Sequence, residues 1–169
     1  MTYRIERIGL EDWERLREVR LAQLLDAPDA FLETHEMALA HDDAEWKDRA
    51  RRVNDPGSVG LVAVTGTPGE WVGTMVGFTP APGTALLLGV WVAPEHRGRG
   101  RGVTDALLDA VLAWARDEAG AQRVVLTVHE GNARAIAYYR RRGFAFTGGE
   151  KPYALDPAAR ELEMVLPLA

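Results

Sequence analysis

No cysteine occurs anywhere in the chain. That excludes disulfides, thiolate-ligated metals and a cysteine nucleophile. Long apolar runs are missing too, and nothing approaches the ~20 residues that a membrane-spanning helix needs. The opening residues, Met1 to Arg7, lack the apolar core of a secretory signal. Positive charge is not in excess. Lys and Arg number 20 against 25 Asp and Glu, for a net charge of −5, and generic nucleic-acid binding is disfavoured. The 4 histidines show no metal-ligand spacing, so no metal is expected. The expected setting is the cytoplasm, with no membrane partner.

What is present suits one domain over residues 1–169. Tyr3 to Ile8 alternates apolar with charged residues, as an edge strand does. Glu11 to Leu25 switches to a helical period, and Ala27-Pro28-Asp29 breaks it. A short helix is expected from Phe31 to about Met37, and another from Ala44 towards Val53, capped by Asp42 or Asp43. Three strands joined by short turns follow: Ser58–Val64, Glu70–Thr79 and Ala85–Val92. Gly73 and Gly77 allow a bulge or a close backbone approach there. The third strand is nearly all apolar, as one buried on both faces would be. A helix is expected from about Gly100 to Ala119 and a strand over Arg123–Val128. A helix capped by Asn132 then runs from Ala133 to about Arg142, closed by Gly143. Strands are expected at Phe144–Thr147 and Glu161–Leu166, flanking a loop, Gly148–Arg160, that carries Tyr153.

Between the apolar strand and the long helix lies Arg97-Gly98-Arg99-Gly100-Arg101-Gly102. A glycine-rich turn that opens a helix offers unpaired N–H groups and the positive end of a dipole, the ingredients of a phosphate site. Gly-Arg repeats also occur in solvated loops. This one is short and sits between apolar elements. The dinucleotide fingerprint does not fit, because Val103 stands where G-x-G-x-x-G needs its last glycine.

Two motifs together resemble the Gcn5-related N-acetyltransferase (GNAT) family. The first is the glycine-arginine loop, which resembles the family's acyl-CoA loop Q/R-x-x-G-x-G/A with Arg97, Gly100 and Gly102 at the defined positions. The second, Asn132 to Phe144, resembles N-x-x-A-x-x-x-Y-x-x-x-G-F, matched by Asn132, Ala135, Tyr139, Gly143 and Phe144. The resemblance implies an α+β fold of three layers, α/β/α. Its mixed central sheet would have about seven strands, splayed between the fourth and fifth, with about four helices. It implies acetyl-CoA as co-substrate, lying in that gap. Main-chain groups of Val90, Trp91 and Val92 would meet the pantetheine arm as an added strand does. The backbone of Arg97, Gly98, Arg99, Gly100, Arg101, Gly102 and Val103 would hold the pyrophosphate. Asn132, Ala135 and Tyr139 would complete the cofactor site. A primary amine of a small molecule or peptide would attack the thioester directly in a ternary complex, and Tyr139 would protonate the departing thiolate.

One departure from the family pattern concerns the base. Some members carry a glutamate where this chain has Leu86. Glu33 and Glu130, with Glu36 and His129, are the remaining candidates; otherwise water relays the proton or the amine arrives neutral. The run of acids from Asp26 to Asp48 favours a cationic acceptor. Homodimers are common in the family, but no interface is marked. The missing glutamate leaves one alternative, a non-catalytic acyl-CoA-binding sensor module.

Overall fold

A computed structural model describes residues 2–169. Its centre is a seven-stranded sheet in the order β1-β2-β3-β4-β5-β7-β6. The strands are β1 (Arg4–Arg7), β2 (Ser58–Thr65), β3 (Glu70–Ala81), β4 (Thr84–Val92), β5 (Arg123–His129), β6 (Ala145–Tyr153) and β7 (Asp156–Pro167). Five α-helices accompany them: α1 (Trp13–Asp26), α2 (His35–Leu39), α3 (Asp43–Arg52), α4 (Val103–Asp117) and α5 (Ala133–Arg141). All strand pairs are antiparallel except β4 with β5. The mixed, three-layered sheet anticipated from the motifs is therefore present.

The layers follow from side-chain alternation. Leu107, Val111 and Trp114 of α4, with Tyr139 of α5, share one core with Ala85, Leu87, Val124 and Leu126 of the sheet. Leu24, Phe31, Trp46 and Trp91 form a separate cluster on the opposite face, under α1 to α3. Gly73 and Gly77 serve close approach. A Cβ on Gly77 would stand 2.4 Å from the Trp114 ring, and one on Gly73 3.0 Å from Leu107.

The feature that positions the site is the parting of two strands. β4 and β5 are paired only at Thr84–Arg123, Ala85–Val124 and Leu86–Val125. Beyond Leu86 the two strands separate. β4 also bulges: Thr74 faces Trp91 while Val76 faces Leu88, so β4 holds one extra residue. Gly89 takes a left-handed φ of 61° there, which a residue with a Cβ disfavours. The bulge changes the parity of the strand. Ala85 and Leu87 face α4 before it; Val90 and Val92 face α4 after it, and Trp91 turns to the other side.

Several expectations need correction. The first short helix does not start at Phe31, which is extended; Thr34 caps it, its side chain accepting from the Met37 N–H, so it begins at His35. α4 begins at Val103, because Gly102 is left-handed and ends the turn. Residues 148–160 are not a loop: β6 and β7 form one long hairpin, with Lys151 opposite Glu161 and Pro152 opposite Arg160. β6 is an edge strand exposed except at Tyr153, so it lacks the apolar alternation that marks a half-buried strand. β4 is not buried on both faces either. Leu88 is 44% exposed.

Gly77→Ala should overpack the α4 interface. Denaturant unfolding should show a loss of roughly 1–3 kcal/mol; an unchanged midpoint would mean that Trp114 does not hold its place.

Candidate active site

The site lies where β4 and β5 part, between α4, α5 and the end of α1. The glycine-arginine loop caps one end. A 3-10 turn at Pro94–His96 leads into it, and buried His96 meets Tyr3 of the N-terminal segment, its Nδ1 3.2 Å from the hydroxyl. Gly98 and Gly102 have φ of 114° and 72°, values that call for glycine. A Cβ at Gly98, Gly100 or Gly102 would meet nothing within 4 Å, so the loop backbone is uncovered on its outer side. The first helical bond of α4 runs from the Ala106 N–H to the Gly102 carbonyl. That leaves the N–H groups of the first turn, from Val103, without helical acceptors.

The three arginines of the loop differ. Arg99 and Arg101 are exposed. Arg97 turns inward: its Nε donates to the Val92 carbonyl at 2.7 Å and its guanidinium pairs with Asp26. Trp91 Nε1 donates to the same carboxylate at 2.8 Å. Burial alone would raise the Asp26 pKa, but the hydrogen bonds from Arg97 and Trp91 outweigh it and hold the group below the usual carboxylate value. Arg97 thus joins the end of β4 to the end of α1.

On the other wall, Asn132 caps α5, its Oδ1 accepting from the Ala135 N–H at 3.1 Å. Ala135 packs half-buried against the main core. Tyr139 is buried, edge-on to Phe144 with ring centroids 5.5 Å apart. Its hydroxyl makes no hydrogen bond among the described residues. The phenol is nevertheless not sealed in, since among the described residues the fully enclosed side-chain atoms without a hydrogen bond are Trp46 Nε1 and Glu161 Oε2. Burial, and then the neighbouring Tyr138, push its pKa well above the ordinary phenol value, so the proton stays in place. Tyr138 is different: its hydroxyl donates to Asp105 at 3.1 Å.

The acids of the 26–48 stretch are mostly paired with arginines from outside it. Asp43 meets Arg17, Glu45 meets Arg49 and Arg52, and Asp48 meets Arg51 and Arg52. Glu33 is buried and takes hydrogen bonds from Arg20 at 2.9 Å and Arg49 at 2.8 and 3.0 Å, and His41 Nε2 lies 2.9 Å from both its carboxylate and Arg49. Burial opposes its ionisation, but those donors win and lower its pKa to about 2. The geometry gives Glu33 a structural partnership rather than a free lone pair. Glu130 is exposed and tied to the backbone, accepting the Arg160 N–H at 2.9 Å. His129 Nδ1 accepts the Gly131 N–H at 3.0 Å, which leaves the ring proton on Nε2.

Two residues of this region escaped the sequence reading. Gln23 and Thr74 are buried polar side chains bonded to each other at 2.8 Å, and the Thr74 hydroxyl donates to the Gly89 carbonyl at 2.7 Å. A glutamine on the apolar side of a helix is the one signal that pointed there.

A parted pair of parallel strands thus lies between a glycine-rich helix start and a tyrosine-bearing helix. The acetyltransferase (GNAT) family is matched over residues 13–144, and the chain belongs to that family. It is 40% identical over 75 residues to the mycothiol acetyltransferase of Salinispora tropica, a match that takes in 44% of this chain but only 24% of that protein. It is 29% identical over 146 residues to the L-amino acid N-acetyltransferase AaaT of Escherichia coli, covering 85% of this chain and 83% of that one. The fold is similar to that of yncA from Salmonella typhimurium with its cofactor acetyl-CoA, at a TM-score of 0.76 and 19% identity over 100% of this chain and 95% of that one.

Because the Glu33 pKa is lowered from 4.5 to about 2, its ionised form should stabilise the fold above pH 4.5 by roughly 3 kcal/mol. That stability should fade as pH falls towards 2. Glu33→Gln should lower the denaturation midpoint at pH 7 and flatten its pH dependence over that window; a parallel pH curve in the variant would count against the charge cluster.

Proposed function

We propose that this chain transfers the acetyl group of acetyl-CoA to a primary amine of a small molecule or peptide. The amine attacks the thioester carbonyl directly in a ternary complex. The nitrogen–carbonyl bond forms, the carbon–sulfur bond breaks, the departing thiolate takes the proton of Tyr139, and the proton shed by the acylated nitrogen passes through water and restores the phenol. The observation that carries the proposal is the pairing of the open β4 edge with a buried tyrosine whose hydroxyl has no hydrogen-bond partner among the described residues. A phenol that holds its proton at neutral pH can give it to a thiolate.

The cofactor would lie along β4, meeting main-chain groups of Val90, Trp91 and Val92, with its pyrophosphate against residues 97–103. Backbone donors would do most of that work. Arg97 would act from behind, through Val92 and Asp26. The amide nitrogen of Asn132 has no protein partner among the described residues and could donate to the pantetheine arm. Catalysis would follow from presenting fixed donors to the thioester carbonyl as charge develops on it.

No side-chain base is proposed. Glu33 is held by cations, Glu130 by a backbone N–H, and His129 presents the wrong nitrogen state. Leu86 brings no carboxylate. The acceptor would lose its proton before or during entry, through water. A small amine is favoured by the similarity to the Escherichia coli L-amino acid acetyltransferase over most of both chains. Asp29, Glu36 and Asp42 are the acids of the 26–48 stretch without a side-chain hydrogen-bond or ion-pair partner among the described residues, and Asp42 accepts the Glu45 N–H as a helix cap, so Asp29 and Glu36 are the ones that would attract a cation.

Release of CoA thiol from acetyl-CoA should rise when amines are supplied, tested with L-amino acids, polyamines and peptide N-termini. If acetyl-CoA binds but no amine raises release, the chain is a sensor of acyl-CoA instead. Tyr139→Phe should lower kcat roughly a hundredfold with little change in acetyl-CoA affinity. The acidic limb of kcat/KM should move with the acceptor's own ammonium pKa when acceptors are exchanged. A Cβ at Gly100 meets nothing within 4 Å, so Gly100→Asp should change stability by only ~0.5 kcal/mol while abolishing acetyl-CoA binding; intact binding would show that the pyrophosphate lies elsewhere.

A further inference from the structure

The hydrogen bonds that converge on the β4 bulge run in one direction only. Arg20 Nε donates to Glu33 Oε2, and its Nη1 is 3.2 Å from Gln23 Oε1. A guanidinium has no acceptor, so the Gln23 oxygen must face Arg20. That turns Gln23 Nε2 towards Thr74, and the amide orientation is settled by its neighbours. Thr74 Oγ1 receives this N–H at 2.8 Å and spends its single proton on the Gly89 carbonyl at 2.7 Å. Gln23 and Thr74 are 4% and 3% exposed, so water cannot substitute for either bond.

The last bond in the chain orients a peptide plane. The Gly89 carbonyl and the Val90 N–H belong to one trans peptide unit and point in opposite directions. Fixing the carbonyl on Thr74 therefore aims the Val90 N–H away from Thr74. Gly89 is left-handed and sits in the bulge, where regular pairing with β3 is interrupted and cannot impose this orientation. Beyond Leu86, β5 gives β4 no partner on the other edge. In a regular strand the two neighbours would hold this peptide; here Thr74 does.

We propose that Thr74, itself held by Gln23, is a positioning residue that presents the Val90 N–H to the thioester carbonyl of bound acetyl-CoA. This rests on the acetyl-transfer reading above. The hydroxyl touches neither substrate nor cofactor; it acts through one peptide. Without it, the peptide can rotate, and the donor is no longer pre-aimed at the oxygen on which charge develops.

Thr74→Val keeps the shape and removes the hydroxyl, and Thr74→Ser restores it. The decisive readout is the carbonyl stretch of acetyl-CoA labelled with carbon-13 at the acetyl carbonyl, bound to each protein, beside kcat and acetyl-CoA affinity. In the wild type the band should lie below that of free acetyl-CoA. In Thr74→Val it should return towards the free value, kcat should fall roughly tenfold to a hundredfold, and affinity should stay within about twofold. Thr74→Ser should recover both band and turnover. If Thr74→Val does not fold, Gln23→Met should show the same changes to a smaller extent. A Thr74→Val band that stays at the wild-type position, with or without a loss of kcat, overturns the positioning role alone. A wild type that neither binds acetyl-CoA nor shifts the band overturns the acetyl-transfer reading instead.

Discussion

Everything at the site depends on a pairing that stops. β4 and β5 share only three aligned residues, at the end where Leu86 meets Val125. Had the parallel ladder continued, the N–H and C=O groups of Val90 and Val92 would be consumed within the sheet. Instead the edge of β4 is left open beside a glycine-rich helix start. A strand edge inside a protein is ordinarily a liability. Here Arg97 already meets the Val92 carbonyl, and the rest of the edge is open to an extended, amide-bearing ligand.

Holding such an edge in place without a neighbouring strand requires other anchors. Arg97 joins the Val92 carbonyl to Asp26, and Trp91 reaches the same carboxylate from the opposite side of its strand. Thr74 and Gln23 tie down the bulge. Both sets end on α1, Asp26 at its last turn and Gln23 one turn earlier. The helix therefore does more than cover the sheet. It carries the polar contacts that replace the missing strand, and Glu33, through Arg20, extends them into the α2–α3 region.

The acid-rich stretch shows how charge counted along a sequence differs from charge felt in a fold. From Asp26 to Asp48 the acids outnumber the bases heavily. Yet Arg17, Arg20, Arg49, Arg51, Arg52 and Arg97, all outside it, bring their guanidinium groups to these carboxylates. Glu33 is the extreme case, a carboxylate ringed by donors whose pKa is pushed towards 2. Among the described residues, Asp29 and Glu36 stand outside both these ion pairs and the helix cap made by Asp42.

The sequence by itself determined the elements with strong local signals: the helical period of α1 and α4, the apolar β4, the Asn132 cap and the glycines at 98, 100 and 102. Each of these is written in neighbouring residues, because helix caps and turns are satisfied within a few positions of the chain. The order of those motifs was also sufficient to indicate the family. Only the tertiary structure decided that residues 148–160 pair as a hairpin, since an exposed edge strand carries no apolar alternation. It alone decided that Arg97 faces Asp26, that Glu33 is enclosed by cations, and that Thr74 reaches the Gly89 carbonyl. Those partners are separated by 71, 16 and 15 positions. No local pattern records such contacts, because hydrogen-bonding partners meet only after the strands and helices have packed.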